Sequence, residues 1–206
     1  MPAKVLIDYG RMLDRLRWEA DLLVDAAHRA PPDTRVPACP GLTIGETVRH
    51  VGSVYRLVAS WIADGRRPQK WQRDPGSGQS VEDYLRVGLD GLATELASRD
   101  PQSPTGTWWP EDQTAGFWRR RMLHETTIHR IDVQSAAGVA LAEIPEDIAL
   151  DGIDEALTLW FGHRLGVLGV SGTREGSVTI KAGGHTWFAR AGPGYTKARR
   201  VERGAD

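Results

Sequence analysis

The chain has 206 residues and a mass of 22.7 kDa, enough to bury one medium-sized core. Its 26 Lys and Arg balance 27 Asp and Glu to a formal charge of -1, which excludes a global field for nucleic acid or an anionic membrane. The single cysteine, Cys39, excludes an internal disulfide.

The first stretch, MPAKVLIDYGRMLDRLRWEADLL, is charged throughout and lacks the apolar core of a secretory signal, so the expectation is a cytoplasmic protein with neither leader nor membrane span. Val5, Tyr9, Met12, Leu16 and Leu23 recur at helical spacing from about residue 4 to about residue 30, where Pro31-Pro32 ends the run. Cys39 follows in a loop, with no Cys or His close enough for a zinc-finger pattern, and reads as a free thiol.

A second helix opens at Thr43, where Thr43 and Glu46 make a T-x-x-E capping box, and runs to about Asp64 before Gly65. GRRPQKWQRDPGSGQS, 65 to 80, is loop by its Gly, Pro and Ser content. A third helix follows from about Val81 to Ser98, and then the loop RDPQSPTGTWWPEDQ. In that loop Trp108-Trp109 either walls a small-molecule pocket or tucks onto the helices.

The fourth helix, about Thr114 to Ala137, stops at Gly138 and carries LHETTIHRID, 123 to 132. With Glu125 at zero on an ideal wheel, Arg121, Asp132, Trp118, His129 and Met122 fall within about 60° of it. Ile128, Phe117 and Ile131 extend that side, while Arg119, Arg120, Thr126, Thr127, Arg130 and Gln134 occupy the other. The wheel therefore turns Arg121, Glu125, His129 and Asp132 inward, where charges need partners, a hydrogen-bond network or a metal.

His124 and His129 are five apart and diverge by about 140°, unlike the paired histidines of zinc proteases, so they do not share an ion. Glu125 and His129 are four apart on one face and form a two-ligand half-site. On the second helix His50 shares the apolar side with Val54, Leu57, Val58 and Trp61, which makes it the candidate third ligand. Two imidazoles and a carboxylate leave one position open, as catalytic zinc sites do; the alternative is a hydrogen-bonded core network in which Arg121 neutralises Glu125.

After Pro145 a fifth helix is expected from about Glu146 to His163. SVTIKAGGHTWFARAG then alternates about Gly183-Gly184 as a hairpin, with room for a third strand. The expected organisation is a bundle over 1–142 and a short α+β segment over 143–206, mainly α overall. A small sheet with an exposed edge is expected to pack on the bundle or pair across a homodimer. His28, His163 and His185 have no partner at ligand spacing and read as surface or packing residues.

LTIGETVRHVGSVYRLVASWI, 42 to 62, followed by FWRRRMLHETTIHRIDVQSAAG, 117 to 138, resembles the maleylpyruvate isomerase family of mycothiol-dependent enzymes, which has a DinB-like four-helix bundle. The resemblance implies a metal, zinc, held by His50, Glu125 and His129, with mycothiol or a similar thiol as cosubstrate. It implies that the thiolate adds to an electrophilic small molecule, for maleylpyruvate-type cis-trans isomerisation or for S-transfer. Asp132 is then the residue to orient His129, Arg121 a neighbour of the ligands, and Arg56 and Arg73 the candidate clamps for substrate carboxylates. Fuller members continue into a larger α+β domain, so the segment from 143 is expected to be a truncated version of it. The other class of function to weigh is a non-catalytic metal- or small-molecule-binding module.

Overall fold

A computed structural model describes residues 5–201, and they form two compact units. The first spans Asp8–Glu143 and holds four helices: α1 (Tyr9–Ala27), α2 (Ile44–Asp64), α3 (Val81–Ala97) and α4 (Ala115–Ala136). Each starts where a side chain satisfies orphan backbone N-H groups: Asp8 accepts from Gly10 and Arg11, Ser80 from Asp83, and Thr114 from Phe117. Thr43 and Glu46 form the full capping box expected at α2.

The helix expected from about residue 4 instead begins at Tyr9, because Asp8 caps it; residue 4 itself lies outside the described residues. Gly65 ends α2 with φ 68, the left-handed conformation that favours glycine. α2 packs most extensively on α3 and α1 on α4, with α2 also against α4. Met12, Leu16, Leu23, Val48, Val51, Tyr55, Leu85, Leu92, Leu96 and Leu123 are fully buried between them.

One expectation for α4 fails. Its second face is interior too: Arg119, Arg120, Thr126, Thr127, Arg130 and Gln134 are all buried, whereas Ile128, placed inward by the wheel, is 55% exposed. Arg119 and Arg130 reach acceptors through most of their guanidinium nitrogens, though not through Arg119 Nε or Arg130 Nη2. Arg119 donates to the carbonyls of Leu96 (2.7 Å) and Arg99 (2.8 Å) at the end of α3. Arg130 donates to Glu19 of α1 at 2.7 Å and to Gln134 and the Ala142 carbonyl at 3.0 Å each. Trp109 is buried and Trp108 meets Phe117 edge-on at 5.4 Å, so this pair tucks onto the start of α4.

The second unit comprises residues 5–7 and the chain from Ile144 onward. Its helix α5 (Glu146–Glu155) continues as a wider π-helical segment, Ala156–Arg164, and a final turn, Leu165–Val167. The expected end near His163 is thus passed. Three antiparallel strands follow in the order β1 (Gly176–Ala182), β2 (His185–Gly192) and β3 (Tyr195–Val201). Gly183 and Gly184, both at positive φ, make the turn that pairs Ala182 with His185. Trp187 is fully buried and donates its indole N-H to Asp154 at 2.7 Å, fastening the sheet to α5. Residues 202–206 lie outside the described residues.

Candidate metal centre

His50 stands in the second turn of α2, and Glu125 and His129 one turn apart on α4. A buried hydrogen bond of 2.7 Å between the Tyr55 and Thr126 hydroxyls ties the two helices beside them. The three side chains meet on one carboxylate oxygen: Glu125 Oε1 lies 3.3 Å from His50 Nε2 and 3.4 Å from His129 Nε2. The two imidazoles stand nearly perpendicular, with ring centroids 5.2 Å apart.

Neighbours hold each member in place. The Arg121 guanidinium donates to Glu125 Oε2, leaving Oε1 to the two histidines. Asp132 Oδ2 is 3.2 Å from His129 Nδ1, so Nε2 is the nitrogen turned to the cluster. Trp71, from the 65–80 loop, packs edge-on against His50 at 5.9 Å. Cys39 brings Sγ to 3.3 Å from Asp132 Oδ2 and 3.9 Å from His129 Nδ1.

The electrostatics follow from this crowding. Burial disfavours an ionised Glu125, but Arg121 and the hydrogen bonds of His129 and His50 outweigh it and hold the carboxyl well below its usual range. Burial likewise disfavours a charged His129, yet Asp132 and Glu125 raise it to about 9. The Cys39 thiol is pushed up to about 11 by burial and by Asp132 beside it.

The donor set fits a divalent ion. With bonds of about 2.0–2.1 Å to imidazole nitrogen and carboxylate oxygen, tetrahedral ligands stand about 3.3–3.4 Å apart. The two edges from Glu125 Oε1 have that length, and the atoms of all three residues fall within 4.8 Å of one another. Arg121 and Asp132 supply the surrounding contacts that such ligands require.

The candidate carboxylate clamps, Arg56 and Arg73, lie on α2 and in the loop beside it. Arg56 lies over the Tyr84 ring at 3.7 Å and donates to the Gly52 carbonyl at 2.9 Å, which directs it to α3. The Arg73 side chain is exposed, and it is its backbone carbonyl that Ser53 Oγ reaches at 3.2 Å. His28 lies 3.9 Å from Glu82 with its side chain 57% exposed, and His185 packs against Trp187.

Cys39 and Trp71 are the neighbours that reasoning from sequence missed. Cys39 reaches α4 because a tight loop returns on itself, with Cys39 N-H bonded to the Val36 carbonyl and Leu42 N-H to that of Cys39. Trp71 carried a signal, being a large aromatic in an otherwise polar, Gly- and Pro-rich loop.

Fold and site together define a mainly helical protein whose first unit carries a His-Glu-His cluster between two helices and whose second unit holds a small sheet. The chain belongs to the mycothiol maleylpyruvate isomerase N-terminal domain family, whose model matches residues 13–134. That span contains all three cluster residues. No curated protein and no solved structure matches the chain.

Proposed function

We propose that the chain is an enzyme that binds a divalent metal of the zinc class at His50, Glu125 and His129. It activates a low-molecular-weight thiol such as mycothiol towards an electrophilic small molecule, by maleylpyruvate-type isomerisation or by S-transfer. The observation that carries this reading is the convergence of two Nε2 atoms on one Glu125 oxygen at the edge lengths of a tetrahedral site, in a chain of this family. When bound, the ion supplies positive charge and an open position at which a thiol is held as thiolate near neutral pH.

The protein's own groups do the rest. Asp132 fixes the His129 ring so that Nε2 faces inward, and Arg121 holds Glu125 ionised and anchored by its other oxygen. Trp71 flanks His50 and offers an apolar wall to a bound carbon skeleton. No helix among the described residues is long and apolar enough to cross a membrane, and we place the protein in the cytoplasm, where small thiols are kept reduced.

The test begins with elemental analysis of protein purified without added metal. Stoichiometric zinc in the parent, absent in His129→Ala, is the expected result, and full metal content in that variant would sink the assignment. A panel of thiols and electrophiles then separates enzyme from binding module: turnover that requires the thiol and disappears in His50→Ala is expected of the enzyme, and ligand binding without turnover of the module.

A further inference from the structure

His129 presents its second nitrogen to another group of ligand atoms. Nδ1 lies 3.2 Å from Asp132 Oδ2 and 3.9 Å from Cys39 Sγ, and Sγ lies 3.3 Å from Oδ2. A tetrahedral ion with bonds of about 2.3 Å to sulfur and about 2.0–2.1 Å to nitrogen and oxygen sets S-N and S-O edges of about 3.5–3.6 Å and an N-O edge of about 3.3–3.4 Å. The triangle is therefore within a few tenths of an ångström of that arrangement. The Cys39 S-H and the His129 Nδ1-H both donate to Asp132 Oδ2, and an ion would take the place of those two protons.

We propose that Cys39, His129 and Asp132 form a second cation site for a thiophilic divalent ion of the zinc class, with His129 bridging the two sites through Nδ1 and Nε2. The sulfur selects against magnesium and calcium, which take oxygen ligands, and the imidazole and carboxylate complete a borderline-soft set. On binding, the Cys39 thiol and the second imidazole N-H each give a proton to solvent, and no oxidant or reductant is needed. The resulting thiolate, imidazolate, Asp132 and Glu125 balance two divalent ions, and the Arg121 guanidinium on Glu125 leaves about one positive charge over the pair of sites. Asp132 is buried and Cys39 half-buried in the loop before α2, so the sulfur is the more exposed of the two.

This inference rests on the proposed function only through the shared His129, and cobalt(II) titration of the full chain, followed by absorption, separates the two. Two equivalents per chain are expected, with a thiolate-to-cobalt charge-transfer band in the near ultraviolet. Cys39→Ser is expected to halve the stoichiometry and remove that band while keeping the visible cobalt bands; His50→Ala is expected to halve it and keep the thiolate band. A single equivalent with no thiolate band in the parent protein overturns the second site and leaves the first standing. A single equivalent with the thiolate band, unchanged in His50→Ala, supports the second site and overturns the first. The parent spectrum decides against the proposal by itself, so the folding of a variant does not enter.

Discussion

At the residue scale, His129 shows how one side chain is aimed from behind. Its Nδ1 is held by Asp132, which sets the ring plane and leaves Nε2 for the cluster. Asp132→Asn keeps the shape of the side chain and removes its charge, so the expected effect is a loss of metal affinity of about 10–100-fold with the fold intact. Chelator competition measures it, and an affinity equal to that of the parent would remove Asp132 from this role. The meeting of His50, Glu125 and His129 was legible in the sequence because Glu125 and His129 are one turn apart and because His50 lies on an apolar helix face. Cys39 was not. Its approach depends on the return of a loop, and periodicity carries no information about where a loop places its residues.

At the scale of elements, α4 is the helix on which the first unit is built, and it is buried on nearly every side. Its wheel located the cluster and misplaced the opposite face, since a buried network of Arg, Thr and Gln has the same composition as a solvated one. Arg130 is the sharpest case, with no exposure and with bonds to Glu19, Gln134 and the Ala142 carbonyl. Arg130→Ala leaves Glu19 buried with only Arg15 beside it, and the expected loss of stability is about 3–5 kcal/mol by urea denaturation. The double variant Glu19→Leu with Arg130→Met removes both charges and is expected to recover most of that loss; no recovery would show that the pair matters for more than mutual neutralisation. A second, independent test of the α1–α4 contact is Gly116→Ala. A Cβ built there meets the Tyr9 ring at 2.6 Å, so a cost of about 1–3 kcal/mol is expected, and a neutral effect would mean that α1 yields without loss.

At the scale of the whole molecule, the sheet was visible as a change of period, from helical spacing to alternation around Gly183-Gly184. The third strand was the least legible, because YTKARRV is charged and recognisable mainly by its pairing with β2. The described ligands of the His-Glu-His cluster all belong to the first unit and come from two helices. A metal that joins them therefore stabilises the native packing of α2 on α4 and has nothing comparable to hold in the unfolded chain. At a free ion concentration about 100-fold above Kd the gain is about 2.7 kcal/mol, which for a chain of this size raises Tm by roughly 5–10 °C. The comparison is thermal unfolding of chelator-treated protein with and without zinc, followed by helical circular dichroism. Parent protein is expected to show the shift and His129→Ala to lose most of it. Equal shifts in both would trace the stabilisation to ions bound elsewhere, and no shift in the parent would favour the hydrogen-bonded network of His50, Glu125, His129 and Arg121 as the native state of the cluster.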